Sequence, residues 1–412
     1  MTQTSATAPS RALTITQLVV SVLGILLSLC ALLAIAIVLL SPHKSGYAQE
    51  NTSLLLNLVF VIVVVILLAI PSVTSALRSL AGLPPRRPAR HKFLAATIAL
   101  LLIPVFLLPE ITGGLESSNS WLAAIINILT VAIPIWWFLE LGRLRVNSGS
   151  AQRQWGLYSF STFITLPVIL IVEIIVLGLG FLFGVLWLFQ QPEFALTLSQ
   201  VNTSSGFDPS MLEELTVDLV PLLARPGVVA VIAAVIALII PLIEEFFKPL
   251  AMWFLHKRNL SPAEGFTIGM ICGAAFALLE SLFSISAVMP GDRMFIIIGR
   301  LGTGLLHIFT AGLNGWALAA TWQDGRYLRV AISYGASVII HGAWNLCALF
   351  MGLHAAGNQI PHIVDPALSS ASVWALLGIA VFLLGGLVAF NRYLRREPNP
   401  PLLPPLQGNG LG

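Results

Sequence analysis

About ten stretches of this chain run for roughly 18 residues or more with almost no charge, long enough to cross a bilayer as helices. They centre near residues 28, 63, 101, 131, 172, 240, 277, 308, 341 and 381. The third, Phe93 to Leu108, is short, and the fifth, Tyr158 to Phe189, is long. Only 9% of the residues are charged, against about 25% in soluble domains. The expected fold is therefore all-α, a polytopic membrane bundle of about ten transmembrane helices.

The loops carry an orientation. With the N-terminus placed in the cytoplasm, 16 of the 21 basic residues fall in inside segments, and only Lys44, Arg225 and Arg293 fall outside. That bias obeys the positive-inside rule. It predicts a multi-pass protein of the cell (plasma) membrane with both termini cytoplasmic. The net charge of +3 reflects these loops and gives no reason to expect a nucleic-acid partner. The first apolar run lacks a clear cleavage site and reads as an uncleaved span. Cys30, Cys272 and Cys347 all fall within spans, where a buried, inert thiol is expected and no disulfide framework forms.

The chain divides near residue 225. Residues 1–15 form a cytoplasmic segment and 16–190 a five-helix membrane region of unassigned role, featureless but for a lone Glu173. Residues 191–226 form an outside loop. Within it Ser210 to Glu213 reads as a capping box opening an amphipathic helix, either an interfacial helix or a lid. A core at 227–355, a final helical region at 356–392 and a disordered, Pro-rich tail at 393–412 complete the chain.

The spans of the core differ from the rest. Glu244-Glu245-Phe246-Phe247-Lys248 sits inside the apolar run from Val228 to Leu255. A charge near the middle of such a helix costs about 2.5–3.5 kcal/mol on insertion scales, so three charges there call for a working site. Glu244 and Lys248 are i,i+4 and Glu245 and Lys248 i,i+3, so both pairs meet on one helix face. Pro241 and Pro249 flank them and are expected to kink the helix. The next span carries Phe276 and Glu280, with Gly265, Gly269, Gly273 and Ala277 forming a small-residue strip that lets another helix come close. The span after it carries Arg300, His307, Thr310 and Asn314, and the next His341 and Asn345 at i,i+4.

Several carboxylates in one dry cavity cannot all ionise, so one is poised to take a proton from water near neutrality. A His and an Asn on one helix face can hydrogen-bond a developing oxyanion. Together these are the requirements for amide hydrolysis. Gly-x-Ser-x-Gly and His-Glu-x-x-His are absent, and Asp is missing from the spans. No cofactor is expected, although His and Glu are ligand types for zinc and a metal at this cluster stays open.

The motifs Glu244-Glu245-x-x-Lys248, Phe276-x-x-x-Glu280, His307 and His341-x-x-x-Asn345 resemble, in order and spacing, the PrsW family of glutamic-type intramembrane proteases. That family belongs to the wider group of the CAAX prenyl endopeptidases. The resemblance covers about residues 227–355. It implies that Glu244 activates water and that His341 with Asn345 holds the oxyanion. Glu245, Lys248 and Glu280 would tune the base, and His307, with Arg300, would orient the site or act as a second acid–base group. Glu280 stands where the CAAX enzymes have a His. The implied partner, besides the lipid bilayer, is a single-pass membrane protein, such as the anti-sigma factor cut at site 1 in the founding activity. Two readings from other classes remain beside it: a proton- or ion-coupled transporter and a non-catalytic membrane scaffold.

Overall fold

The structure is a computed structural model, and it describes residues 10–41, 52–84, 91–111, 120–146, 148–192, 225–286, 293–355 and 365–396. Nine helices among these residues are long and apolar enough to cross a membrane. The third apolar run is the exception: Lys92–Leu108 is too short. It divides at Leu102 into α3 (Lys92–Leu101) and α4 (Ile103–Ile111), because Pro104 has no N–H to continue the ladder.

In chain order α1 (Arg11–Leu40) and α2 (Thr52–Leu80) precede this broken pair, and α5 (Ser120–Gly142) follows it. Helix α6 (Ala151–Phe160) passes through a π turn, Ser161–Thr165, into α7 (Leu166–Leu188). Helix α8 (Pro226–Ala234) passes through a second π turn, Val235–Ile239, into α9 (Ile240–Phe247). After the short α10 (Leu250–Trp253) come α11 (Pro262–Ser286), α12 (Arg293–Asp324), α13 (Leu328–Ala355) and α14 (Pro366–Leu394). The expected amphipathic helix at 210–222 and the tail beyond 396 lie outside the described residues.

Helix α11 is the centre of the bundle: 83% of its apolar window is buried, against 6% for α1. Its small-residue strip makes that possible. A methyl group on Gly265, Gly269 or Gly273 would overlap the carbonyl oxygen of Gly315, Ala311 or His307 on α12. The contacts step four residues up one helix as they step four down the other, so α11 and α12 lie antiparallel with their backbones touching. In lipid such packing replaces the hydrophobic effect as the force between helices. It also sets the backbone of His307 directly against α11.

The N-terminal helices and the last one close around this pair. Val61 of α2, Ile135 of α5, Phe266 of α11, Leu306 of α12 and Leu387 of α14 belong to one buried cluster. A polar seam adds direction. Gln17 Nε2 donates to Ser72 Oγ and Ser75 Oγ, each at 3.1 Å, and Ser21 Oγ donates to Ser72 Oγ at 2.9 Å. Asn391 Nδ2 donates to Gly142 O at 2.6 Å, tying α14 to the end of α5. Of the cysteines, Cys272 is buried but Cys30 is exposed on α1. Cys347 is half-buried, so the sequence expectation of three buried thiols holds for Cys272 alone; among the described residues no helix covers the face of α1 that carries Cys30, and an apolar thiol needs none in lipid.

Candidate active site

The site grows from the break in the helix carrying the paired glutamates. The two π turns share a sequence pattern, each ending two residues before a proline, Pro167 in one and Pro241 in the other. In the second turn Ile240 N bonds Val235 O in the i→i+5 register. The next donor in that register would be Pro241, which has no N–H. Ile236 O is thereby released from the ladder, and Asn345 Nδ2 of α13 donates to it at 3.2 Å. One residue on, Ala237 O faces Gly342 of α13 so closely that a Cβ on Gly342 would overlap it. The backbone opened by Pro241 is thus plugged by the His341-Gly342-Ala-Trp-Asn345 turn.

This plug carries a prediction. In a Gly342→Ala variant the added methyl has no flexible side chain to displace, so α13 must retreat, at about 1–3 kcal/mol. His341 and Asn345 retreat with it, and a shift of about 1 Å costs roughly 100-fold in any reaction that depends on their placement. The expected outcome is a modest fall in Tm with a much larger loss of any activity that uses His341 and Asn345, read side by side on the purified protein.

Helix α9 ends at Lys248, whose Nζ has no exposed surface. Nζ lies 2.7 Å from Glu245 Oε1, 3.0 Å from Glu244 Oε2 and 2.7 Å from His307 Nδ1. It also sits 4.7 Å from the centre of the Phe276 ring, a cation–π contact from below. Both helical spacings read from the sequence are realised.

The two histidines hold their protons by the company they keep. An ammonium can only donate, so His307 Nδ1 accepts from Lys248, and its Nε2–H donates to Glu280 Oε2 at 2.8 Å. Glu280 is also paired with Arg300 at 2.6 Å, and Arg300 Nε donates to Ser281 Oγ at 3.0 Å. His341 Nδ1 meets Glu245 Oε1 at 3.0 Å, so Nδ1 carries the proton and Nε2 is left with its lone pair. That Nε2 lies 3.9 Å from Glu244 Oε2. Glu245 is held from its other side by Asn314 Nδ2 at 3.4 Å, and Ser333 Oγ donates to Asn314 Oδ1 at 3.0 Å.

Glu244, Glu280, His341 and Asn345 face a cavity of about 590 Å³, whose other walls include Leu166, Leu170, Ile236, Ile240 and Phe283. The structure therefore brings Glu244, Glu245, Lys248, Glu280, His307 and His341 into one network and puts Asn345 on the wall beside it. Glu245, Lys248 and His307 stand behind the cavity and hold the groups that face it.

Asn314, Ser333 and Ser281 join the network without having been singled out from sequence as part of the site, and Gly342 and Glu173 were not singled out either. Gly342 has no polar signal, and only its position beside His341 hints at a role. Glu173 of α7 lines the same cavity, and its signal was visible as a carboxylate alone in an apolar span.

Donor atoms of Glu244, His307 and His341 lie within 4.8 Å of one another. A family model described as PrsW family intramembrane metalloprotease matches residues 174–384 of the chain. Comparison with curated proteins and with solved structures yields no match.

Proposed function

Because this chain belongs to the PrsW family of intramembrane proteases, we propose that it is an endopeptidase hydrolysing peptide bonds of membrane-anchored proteins with water activated by Glu244. The observation that carries this reading is the pair Glu244 Oε2 and His341 Nε2, 3.9 Å apart on one cavity wall, each held from behind by a charged partner. Two acceptors at that separation suit one water donating to both.

In this reading Glu244 takes a proton from the water as its oxygen attacks the scissile carbonyl carbon. An amide nitrogen carries two hydrogens. Asn345 uses one on Ile236 O, and the other serves the oxyanion. His341 begins as an acceptor and becomes an oxyanion donor only after it gains a proton, with Glu245 stabilising the imidazolium as an acid partner does in hydrolytic triads. His341 takes that proton from the hydroxyl the water has become, and the C–N bond breaks as the proton held by Glu244 passes to the leaving nitrogen, with the second following from His341. The products are a carboxylate and an ammonium, and Glu244 and His341 return to their starting states. His307, with both nitrogens engaged, positions Lys248 against Glu280 and does not itself move protons to substrate.

The family description includes a metal, and the residues here do not fit one as they stand. His2Glu is a zinc donor set, and catalytic zinc takes three protein ligands. His307 has no lone pair left, since one nitrogen accepts from Lys248 and the other donates to Glu280. Only Glu244 and His341 Nε2 remain. The Lys248 ammonium already supplies positive charge at 3.0 Å from Glu244. The expected outcome is full activity after dialysis against a strong chelator, with far less than one zinc per chain by elemental analysis. Stoichiometric zinc whose removal stops cleavage would contradict metal-free activation.

We extend the proposal to a single-pass membrane substrate such as an anti-sigma factor, and to an orientation with both termini cytoplasmic. In cells expressing the native protein, Glu244→Gln or His341→Ala, truncated membrane proteins are compared by their new termini. At least one product should appear with the native protein and vanish in both variants. Identical termini in all three, with normal levels of each variant, would sink the proposal.

A further inference from the structure

Glu173 lies in the cavity wall, and the proposed reaction gives it no task. It immediately precedes the stretch matched by the family model, residues 174–384. Leu166, Leu170 and Glu173 recur at spacings of four and three, so they share one face of α7, and that face closes the cavity that Glu244 enters from α9. A carboxylate in such an apolar helix is costly unless it has a partner. Glu244 has Lys248, and Glu280 has Arg300 and His307. Among the described residues Glu173 has no ion pair and no hydrogen bond, and its Oε1 is buried without a partner.

The missing partner is a cation, and the cavity does not supply one. No lysine or arginine is among the described residues that line it, and the histidine there, His341, is paired with Glu245. Lys248 is held behind Glu244, and Arg300 is spent on Glu280. The remaining walls are mostly aliphatic and aromatic, suited to apolar residues of a peptide. A sphere of 590 Å³ is about 10 Å across, the reach of roughly three extended residues.

We infer that Glu173 is a specificity-determining residue that receives a lysine or arginine side chain of the substrate within about three residues of the scissile bond. The inference rests on the hydrolase reading above. A basic side chain in an apolar segment seeks a charged partner or the interface, and Glu173 offers that partner inside the cavity. The other walls hold the flanking apolar residues, so the ion pair fixes register: it decides which peptide bond faces Glu244.

The test uses the purified full-length protein in proteoliposomes and a set of synthetic single-pass peptides. The peptides are identical except for one lysine, norleucine or glutamate placed at successive positions around the cut, which is located by mass spectrometry. A charge-assisted hydrogen bond predicts that lysine at one position within three of the cut raises kcat/KM over norleucine by about tenfold or more, chiefly through KM. Glutamate at that position lowers it. Glu173→Gln brings the lysine-to-norleucine ratio close to one, and Glu173→Arg transfers the preference to the glutamate peptide, which simple misfolding would not do. Equal rates for lysine and norleucine with the native protein would overturn the assignment and leave the hydrolase standing, as would a lysine preference that survives Glu173→Gln. Failure of the native protein to cut any peptide would overturn the hydrolase reading and this inference with it.

Discussion

Replacing Glu244 with glutamine should lower kcat by about 10²- to 10⁴-fold, the range contributed by a positioned general base. The amide keeps the shape of the side chain and can still accept from Lys248, so the helix end, the cavity and substrate binding survive. What it lacks is the ability to take a proton from water. KM should therefore change little, and the loss should fall on kcat. A parallel Glu245→Gln variant separates facing from supporting groups. Glu245 stands behind the cavity with His341, Lys248 and Asn314, so its replacement should weaken the imidazolium and cost less than loss of the base. Single-turnover cleavage of one peptide by the three proteins checks both statements. A Glu244→Gln enzyme within tenfold of native would remove it from the role of base.

The second large effect is on folding. Lys248 is fully buried among Glu244, Glu245, His307 and the Phe276 ring. Lys248→Met fills a similar volume but leaves two carboxylates without their cation, and breaking a buried pair in this way typically destabilises by about 3–5 kcal/mol. The added change Glu245→Gln should recover part of that loss, because it removes one of the orphaned charges and keeps an amide oxygen to accept from His341 Nδ1–H. Lys248→Arg should not substitute: a planar guanidinium does not fit a slot shaped for a compact ammonium over a ring. Thermal unfolding of the purified variants in one detergent reads all three. A Lys248→Met protein as stable as native would mean that the glutamates are neutral without it.

Much of this arrangement is written in local spacing. The i,i+3 and i,i+4 placement of Glu245 and Glu244 against Lys248 needs only a helix to bring them together. Gly265, Gly269 and Gly273 announce a close helix neighbour, and α12 is that neighbour. What the sequence leaves dark are facts about two helices at once. Asn345 reads as a possible oxyanion group, but its bond to Ile236 O exists only because Pro241 and the π turn free that carbonyl. His307 reads as a possible acid–base group, yet a proton held toward Glu280 and a lone pair given to Lys248 follow from three helices meeting. Glu173 could not be oriented because α7 has no polar face to show which side turns inward. The break in the short third run, by contrast, follows directly from Pro104.

The central claim is that Glu244 and His341 act as one unit on one water. A double-mutant cycle on kcat tests it most directly, using Glu244→Gln, His341→Ala and the two combined, each reconstituted in liposomes with one synthetic transmembrane peptide. Groups serving the same step are strongly non-additive, so the double variant should be no slower than about threefold below the worse single one. Losses that multiply would show two groups working independently, and single losses smaller than tenfold would contradict a hydrolytic site at this place in the bundle.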